Sequence, residues 1–137
     1  MSTAKWATPG TEVSIAGTAL NSLANGSTSA RMAYDNSSNL DLYARVTVEL
    51  GSITPGTGGS ITLRFLGQRG GNDENIVNSL ESYTALLSSG ASAKRAIFEM
   101  VRLYPFVGGF VLYNNSGVAL AASSNVIYVQ PYNESIA

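Results

Sequence analysis

The 137-residue chain contains no cysteine and no histidine. Without them there can be no cysteine nucleophile, no Ser-His-Asp triad, no zinc finger and no His-ligated metal site. Charge is also scarce: 8 Lys plus Arg stand against 9 Asp plus Glu, or 12% of residues, about half the share in an ordinary globular chain. A net charge of −1 gives no electrostatic footprint for nucleic acid, whose phosphates demand clustered Lys and Arg. The one adjacent basic pair, Lys94-Arg95, reads as a solvated strand edge. No apolar run approaches the 18 or more residues of a membrane helix. Residues 1–10 (MSTAKWATPG) carry no apolar signal core, so we expect synthesis and folding in a cytoplasm.

Small polar residues are abundant: 18 Ser, 10 Thr, 11 Asn and 14 Gly. Disorder does not follow, because the chain is 45% apolar and almost neutral, whereas disordered chains are apolar-poor and charged. We read these residues as turn and surface-strand chemistry. Four N-x-S sequons, at Asn25, Asn36, Asn114 and Asn133, are read the same way, as turns.

Leu40 to Leu50 (LDLYARVTVEL) alternates apolar and polar residues for its whole length, which predicts a half-buried strand. Gly51 to Ser60 holds Pro55-Gly56 and Gly58-Gly59, and Ile61 to Leu66 resumes the alternation. This predicts an antiparallel hairpin with a long, loose tip. Shorter strands are expected at Thr11–Ala16, Ser27–Ala33, Arg95–Leu103, Gly109–Tyr113 and Asn125–Tyr132. In Arg95–Leu103 either face suits burial. In the last strand, Pro131 must end the strand or lie at an edge. Between Gln68 and Gly90 two readings stand: a helix capped by Asp73 with Ile76, Leu80, Tyr83 and Leu87 on one face, or a strand at Tyr83–Leu87. The β character of the neighbours favours the strand. The expectation is an all-β, single antiparallel β-sandwich or jelly roll of about seven or eight strands. Residues 11–137 would form it, and residues 1–10 an extended N-terminal arm.

Paired carboxylates are the catalytic device still open, and Asp35, Asp41, Glu49, Asp73, Glu74 and Glu99 are the candidates. Asp41 and Glu49, eight residues apart on one predicted strand, would lie about 27 Å apart. Asp73-Glu74 lacks the 12-residue calcium-loop pattern, and the glycines lack a P-loop ending. Without histidine, a serine would need Lys5 or Lys94 as base, and neither lies in a motif. We therefore expect no enzyme, no catalytic residue, no metal and no cofactor.

Tyr104, Phe106, Phe110 and Tyr113 read as core aromatics. Trp6, ahead of Pro9-Gly10 in the polar arm, is either a plug in its own core or an anchor on a neighbour. Tyr43, on the wet face of its strand, suits contact or cross-strand packing. No set of aromatics on one wet face, as a sugar platform would need, stands out.

Two blocks carry a resemblance. Asp35 to Phe65 opens with DN-x-x-N-LDLYA and continues into a Pro/Gly-rich turn, and Phe110 to Asn133 holds NN-x-G-x-AL and closes on PYN. Together they resemble the small cement, or decoration, proteins of tailed bacteriophage heads. The resemblance implies a jelly-roll or sandwich domain on the virion capsid exterior, assembled in the host cytoplasm. It would bind the major capsid protein and itself, as a homodimer or homotrimer, but neither nucleic acid nor membrane. Trp6, Pro9 and Tyr43 are the expected capsid or oligomer contacts. A phage tail or fibre component, or a carbohydrate-binding sandwich, is the alternative.

Overall fold

The structure, a computed structural model, describes residues 3–15, 17–69, 72–73 and 81–136. Its strands are β1 (Ala4–Trp6), β2 (Val13–Ile15), β3 (Met32–Asp35), β4 (Tyr43–Ile53), β5 (Ser60–Arg69), β6 (Asn72–Asp73), β7 (Tyr83–Leu86), β8 (Ser92–Arg102), β9 (Val107–Asn115), β10 (Val126–Tyr132) and β11 (Glu134–Ile136). A 3-10 turn, Gly17–Leu20, follows β2. Among the described residues no helix is long and apolar enough to cross a membrane.

One rule generates the pairing. β1 pairs with β11, β2 with β10, β3 with β9, β4 with β8 and β5 with β7, always antiparallel. From Ala4↔Ile136 to Ser60↔Leu86, the residue numbers of partners add to between 140 and 146. The chain is one long hairpin, and it is rolled up, because β10 also pairs with β4 and β9 with β5. The roll yields two sheets, β2-β10-β4-β8 and β3-β9-β5, with β6 and β7 both on the far side of β5. This is jelly-roll strand order. The expected all-β sandwich holds, with β2–β5 and β7–β10 as its eight principal strands.

Burial of one face of each sheet drives the rolling. Ala44, Val46, Val48, Leu50, Ile127 and Val129 face Met32, Ile61, Leu63, Phe110 and Leu112 in one buried cluster. Each Val, Leu, Ile, Met or Phe among them contributes about 1.5–3 kcal/mol when fully removed from water. Phe110 packs edge-on against Phe65 with ring centroids 5.2 Å apart, a favoured aromatic geometry.

The roll also explains where the expected strands shift. β4 begins at Tyr43, not Leu40. Leu40 sits at φ +55°, a left-handed conformation that breaks a strand, so Leu40 and Leu42 are exposed. β4 and β5 do not pair with each other: they belong to different sheets. Residues 54–59 therefore cross between sheets, and the crossing is tied down. Gly56 N donates to Ser116 O at 2.8 Å, and Leu87 N to Gly59 O at 2.9 Å.

In β8 the face question resolves into both answers. Phe98 and Val101 are both buried while Ile97 and Met100 are exposed, because the register with β4 slips between Ala44↔Val101 and Val46↔Phe98. A bulge here switches the inward face. Pro131 lies within β10, a central strand, but beyond the last β2 rung at Val129↔Val13. Its missing N–H therefore costs no ladder bond there. The Tyr83–Leu87 strand reading holds as β7, whereas most of the helix alternative, residues 74–80, lies outside the described residues.

Loops at the far end of β4, around residues 21–26, 88–92 and 114–125, are closed by buried polar side chains. Asn114, fully buried, donates from Nδ2 to Leu23 O at 2.9 Å and Val118 O at 2.8 Å, and its Oδ1 accepts from Ser116 N at 2.9 Å. Asn125 accepts from Gly51 N at 3.0 Å and donates to Ala121 O at 2.8 Å. The 3-10 turn must start with glycine, since a Cβ on Gly17 would collide with the backbone of Asn125. Lys94 is not a solvated edge residue. It is 4% exposed, and its Nζ donates to Gly90 O at 2.8 Å and Ser92 Oγ at 2.9 Å, holding the β7–β8 turn.

Asn114→Ala should therefore cost about 3 kcal/mol, since it removes three bonds and strands buried carbonyls. Arg95→Ala, which breaks the exposed 2.8 Å pair with Glu49, should cost under about 1 kcal/mol. Urea midpoints for the two variants would check the order; equal losses would contradict it.

Candidate functional site

The opposite end of the sandwich is built differently. Eleven large apolar side chains are exposed among the described residues, and eight of them lie here: Trp6, Leu40, Leu42, Met100, Tyr104, Phe106, Val107 and Ile136. At this end β3, β8 and β10 finish and β4 and β9 begin. Tyr104 and Phe106, expected in the core, are 37% and 61% exposed, whereas Phe110 is fully buried and Tyr113 half-buried. The reason is position: Tyr104 and Phe106 occupy the loop between β8 and β9, and Tyr104 rests on Phe65, 6.0 Å between centroids.

Hydrogen bonds of the side chains fix the loops beneath this surface. Asn36, 1% exposed, donates to Asp41 O at 2.9 Å and to Tyr104 O at 3.0 Å, and accepts from Asp41 N at 2.9 Å. Asn133 accepts from Leu42 N at 2.7 Å and donates to Asp41 Oδ1 at 2.9 Å. The LDLYA and PYN motifs are thus clasped together in space. All four sequon asparagines work this way, since Asn25 Oδ1 accepts from Gly117 N at 2.9 Å.

Above the clasp lies an aromatic cluster. Tyr43 and Tyr132 are direct cross-strand partners and stack with centroids 5.6 Å apart and planes 26° apart. Trp6 stands edge-on to both, 5.4 Å from Tyr132 and 6.1 Å from Tyr43. It is 55% exposed, so it is not a plug in the core. β1·β11 pairing, with Trp6↔Glu134, brings it there. Beside it opens a groove of about 410 Å³ lined by Trp6, Ala7, Pro9, Arg45, Glu99, Met100, Gln130 and Tyr132. Of the three expected contact residues, Trp6 and Pro9 line the groove and Tyr43 supports Trp6. Tyr132 and Met100 were missed. Tyr132 is the cross-strand neighbour of Tyr43, legible only once the β4·β10 register is known, and Met100 turns outward only because of the bulge.

Electrostatically the groove is quiet. Arg45 and Glu99 pair at 3.2 Å, so their charges offset each other, and the Tyr132 hydroxyl donates to Glu99 O at 2.8 Å. Partial burial raises the Tyr132 phenol above its usual range, with the Glu99 carboxylate adding to the effect.

A second cavity of about 420 Å³, on the other side of the arm, is lined by Tyr34, Asp35, Asn39 and Asp41 among others. Its carboxylates serve the loops. Asp35 accepts from the Ser37 hydroxyl at 2.6 Å and from Ser37 N at 2.8 Å, which lowers its pKa. A general acid needs the reverse. Asp41 precedes β4, so it shares no strand with Glu49, which lies within β4 and pairs with Arg95. Glu74 and the side chain of Asp73 lie outside the described residues. Among the described residues no three acidic side chains converge as metal ligands.

No protein-family model, curated protein or solved structure matches the chain. The site must be judged on its own geometry: a hydrophobic, aromatic end at which Arg45 and Glu99 are paired.

Trp6 is the single tryptophan, so its fluorescence reports on the arm. Resting on two exposed edge contacts worth about 0.5–1.5 kcal/mol each, it should leave its tyrosines at lower urea than the loss of β signal in circular dichroism. Coincident transitions would show the arm to be part of the cooperative core. A pH effect follows from the tyrosines. Burial raises Tyr34, Tyr83 and Tyr132, so above about pH 10 the unfolded chain gives up these protons more readily than the folded one. Stability should be level up to there and fall beyond it, read as urea midpoints from pH 8 to 11; an unchanged midpoint would refute the assignment.

Proposed function

We propose that this chain is a cement protein of a tailed-phage head, which adheres to the outer surface of the capsid and stabilises contacts between capsomers. The observation that carries the reading is the aromatic end, where Trp6, Tyr43 and Tyr132 sit beside Met100, Phe106 and Leu40 on a rigid jelly roll. Trp and Tyr are the residues in which interface energy concentrates. The proposed partners are the major capsid protein and a second or third copy of this chain. The proposed location is the virion exterior, reached by assembly in the host cytoplasm.

Adhesion needs area and repetition. A standard interface buries about 1,600 Å², and seating on a repeating lattice turns modest contacts into strong avidity. Both blocks that resemble cement proteins contribute here: LDLYA supplies Tyr43, PYN supplies Tyr132, and the clasp by Asn133 holds the two motifs together. The low charge keeps the coat from adhering to nucleic acid.

The groove favours a second reading, a carbohydrate-binding module or tail-fibre component, because an exposed tryptophan beside Arg45, Glu99 and Gln130 offers a neutral polyhydroxyl ligand an apolar face and hydrogen-bonding groups.

The test is binding of the full chain and Trp6→Ala to phage heads stripped of it, with a glycan array in parallel. Trp6→Ala should weaken attachment to heads about tenfold or more, the loss of about 1.4 kcal/mol or more expected at a hot spot, while the fold persists. Unchanged attachment would sink the assignment of the site. Glycan binding lost in Trp6→Ala, with no attachment to heads, would replace it by the second reading.

A further inference from the structure

The β1·β11 ribbon is the outermost rung of the rolled hairpin, and it belongs to neither main sheet. It is three residues long on each strand, and an isolated two-stranded ribbon is marginal in water. All of Ala4–Trp6 is exposed, as are residues 8–12. The arm is held by the Trp6 edge contacts, by Ala7 N to Asn133 O and Gly10 N to Pro131 O, both 2.8 Å, and by Gln130 Nε2 to Gly10 O at 3.1 Å. After Gly10 the next rung is Val13↔Val129, so Thr11 and Glu12 are exposed residues between two tethered segments.

We propose that the N-terminal arm, up to Gly10, exchanges between two copies of this chain, hinging at Thr11-Glu12. Each arm then lays its β1 against β11 of the other copy and its Trp6 on the other copy's Tyr43 and Tyr132. The occupant follows from the molecule itself. The socket formed by β11, Tyr43 and Tyr132 already holds this segment in register, and every second copy carries both the identical segment and the identical socket. Exchange reproduces each contact and changes only the hinge, which is why swapping is a low-cost route to a dimer. Among its described residues, 3–10, the segment buries no side chain, so it is released cheaply, and the hinge lies outside both sheets. The proposal deepens the oligomeric part of the reading above by naming its interface, and it rests on that reading for its setting on the capsid.

The test exploits the absence of cysteine. Lys5 and Ser135 are directly opposite partners, at a spacing that a disulfide can bridge. Lys5→Cys and Ser135→Cys chains are prepared separately, mixed at high concentration, oxidised and run on a non-reducing gel. Exchange predicts a covalent dimer in the mixture that neither variant forms alone. The double variant, oxidised dilute, should close within one chain. No dimer in the mixture, while the double variant closes internally at every concentration, would overturn the proposal. Failure of the double variant to close at all would overturn it too, by removing the pairing on which it stands. Attachment of the same unoxidised variants to stripped heads is read separately, so loss of exchange with attachment intact leaves the cement reading in place.

Discussion

The amide of asparagine is the interaction on which this structure depends. A hairpin rolled into two sheets must cross between them repeatedly, and at every crossing backbone N–H and C=O groups leave the ladders. Buried and unpaired, each would cost about 1–3 kcal/mol. An asparagine side chain offers a donor and an acceptor on one short stem, and Asn36, Asn114, Asn125 and Asn133 each use both. A chain with so few charges closes its loops with neutral amides instead. The buried Lys94 is one exception, and its ammonium likewise binds backbone carbonyls and serine hydroxyls.

This economy divides the molecule into two ends. At one, Asn114, Asn125 and Lys94 turn inward and the loops close over hydrogen bonds. At the other, Asn36 and Asn133 hold the backbone from beneath, which frees the apolar side chains of the same loops to face outward. Leu40, Leu42, Tyr104 and Phe106 are exposed because their backbone is fixed by neighbours, not because they lack a place in the core. The arm adds Trp6 to that surface. The adhesion proposed for this chain would use that apolar end.

Fold class was legible in the sequence because alternation is a local signal, and β4 and β5 carry it strongly. Pairing was not legible, because nothing in residues 40–66 says that β4 and β5 lie in different sheets; that is decided by long-range rungs such as Val46↔Val129 and Leu63↔Leu112. Departures from strict alternation were equally hidden. The left-handed Leu40 and the bulge in β8 each reverse which side chains face out, and with them the fates of Leu42 and Met100. Of the site, Trp6, Pro9 and Tyr43 were within reach of sequence reasoning as unusual placements. Tyr132 was not, because its role comes from lying opposite Tyr43. The sequons read as turns, and this holds at Asn25 and beside Asn36, whereas Asn114 lies within β9 and Asn133 sits between β10 and β11. What their pattern concealed is that each asparagine amide bonds the backbone of a neighbouring segment.

If this chain coats a phage head in stoichiometric numbers, as proposed, quantitative mass spectrometry of gradient-purified virions should find hundreds of copies per particle, in a simple ratio to the major capsid protein. A handful of copies per particle, or none, would contradict the proposal.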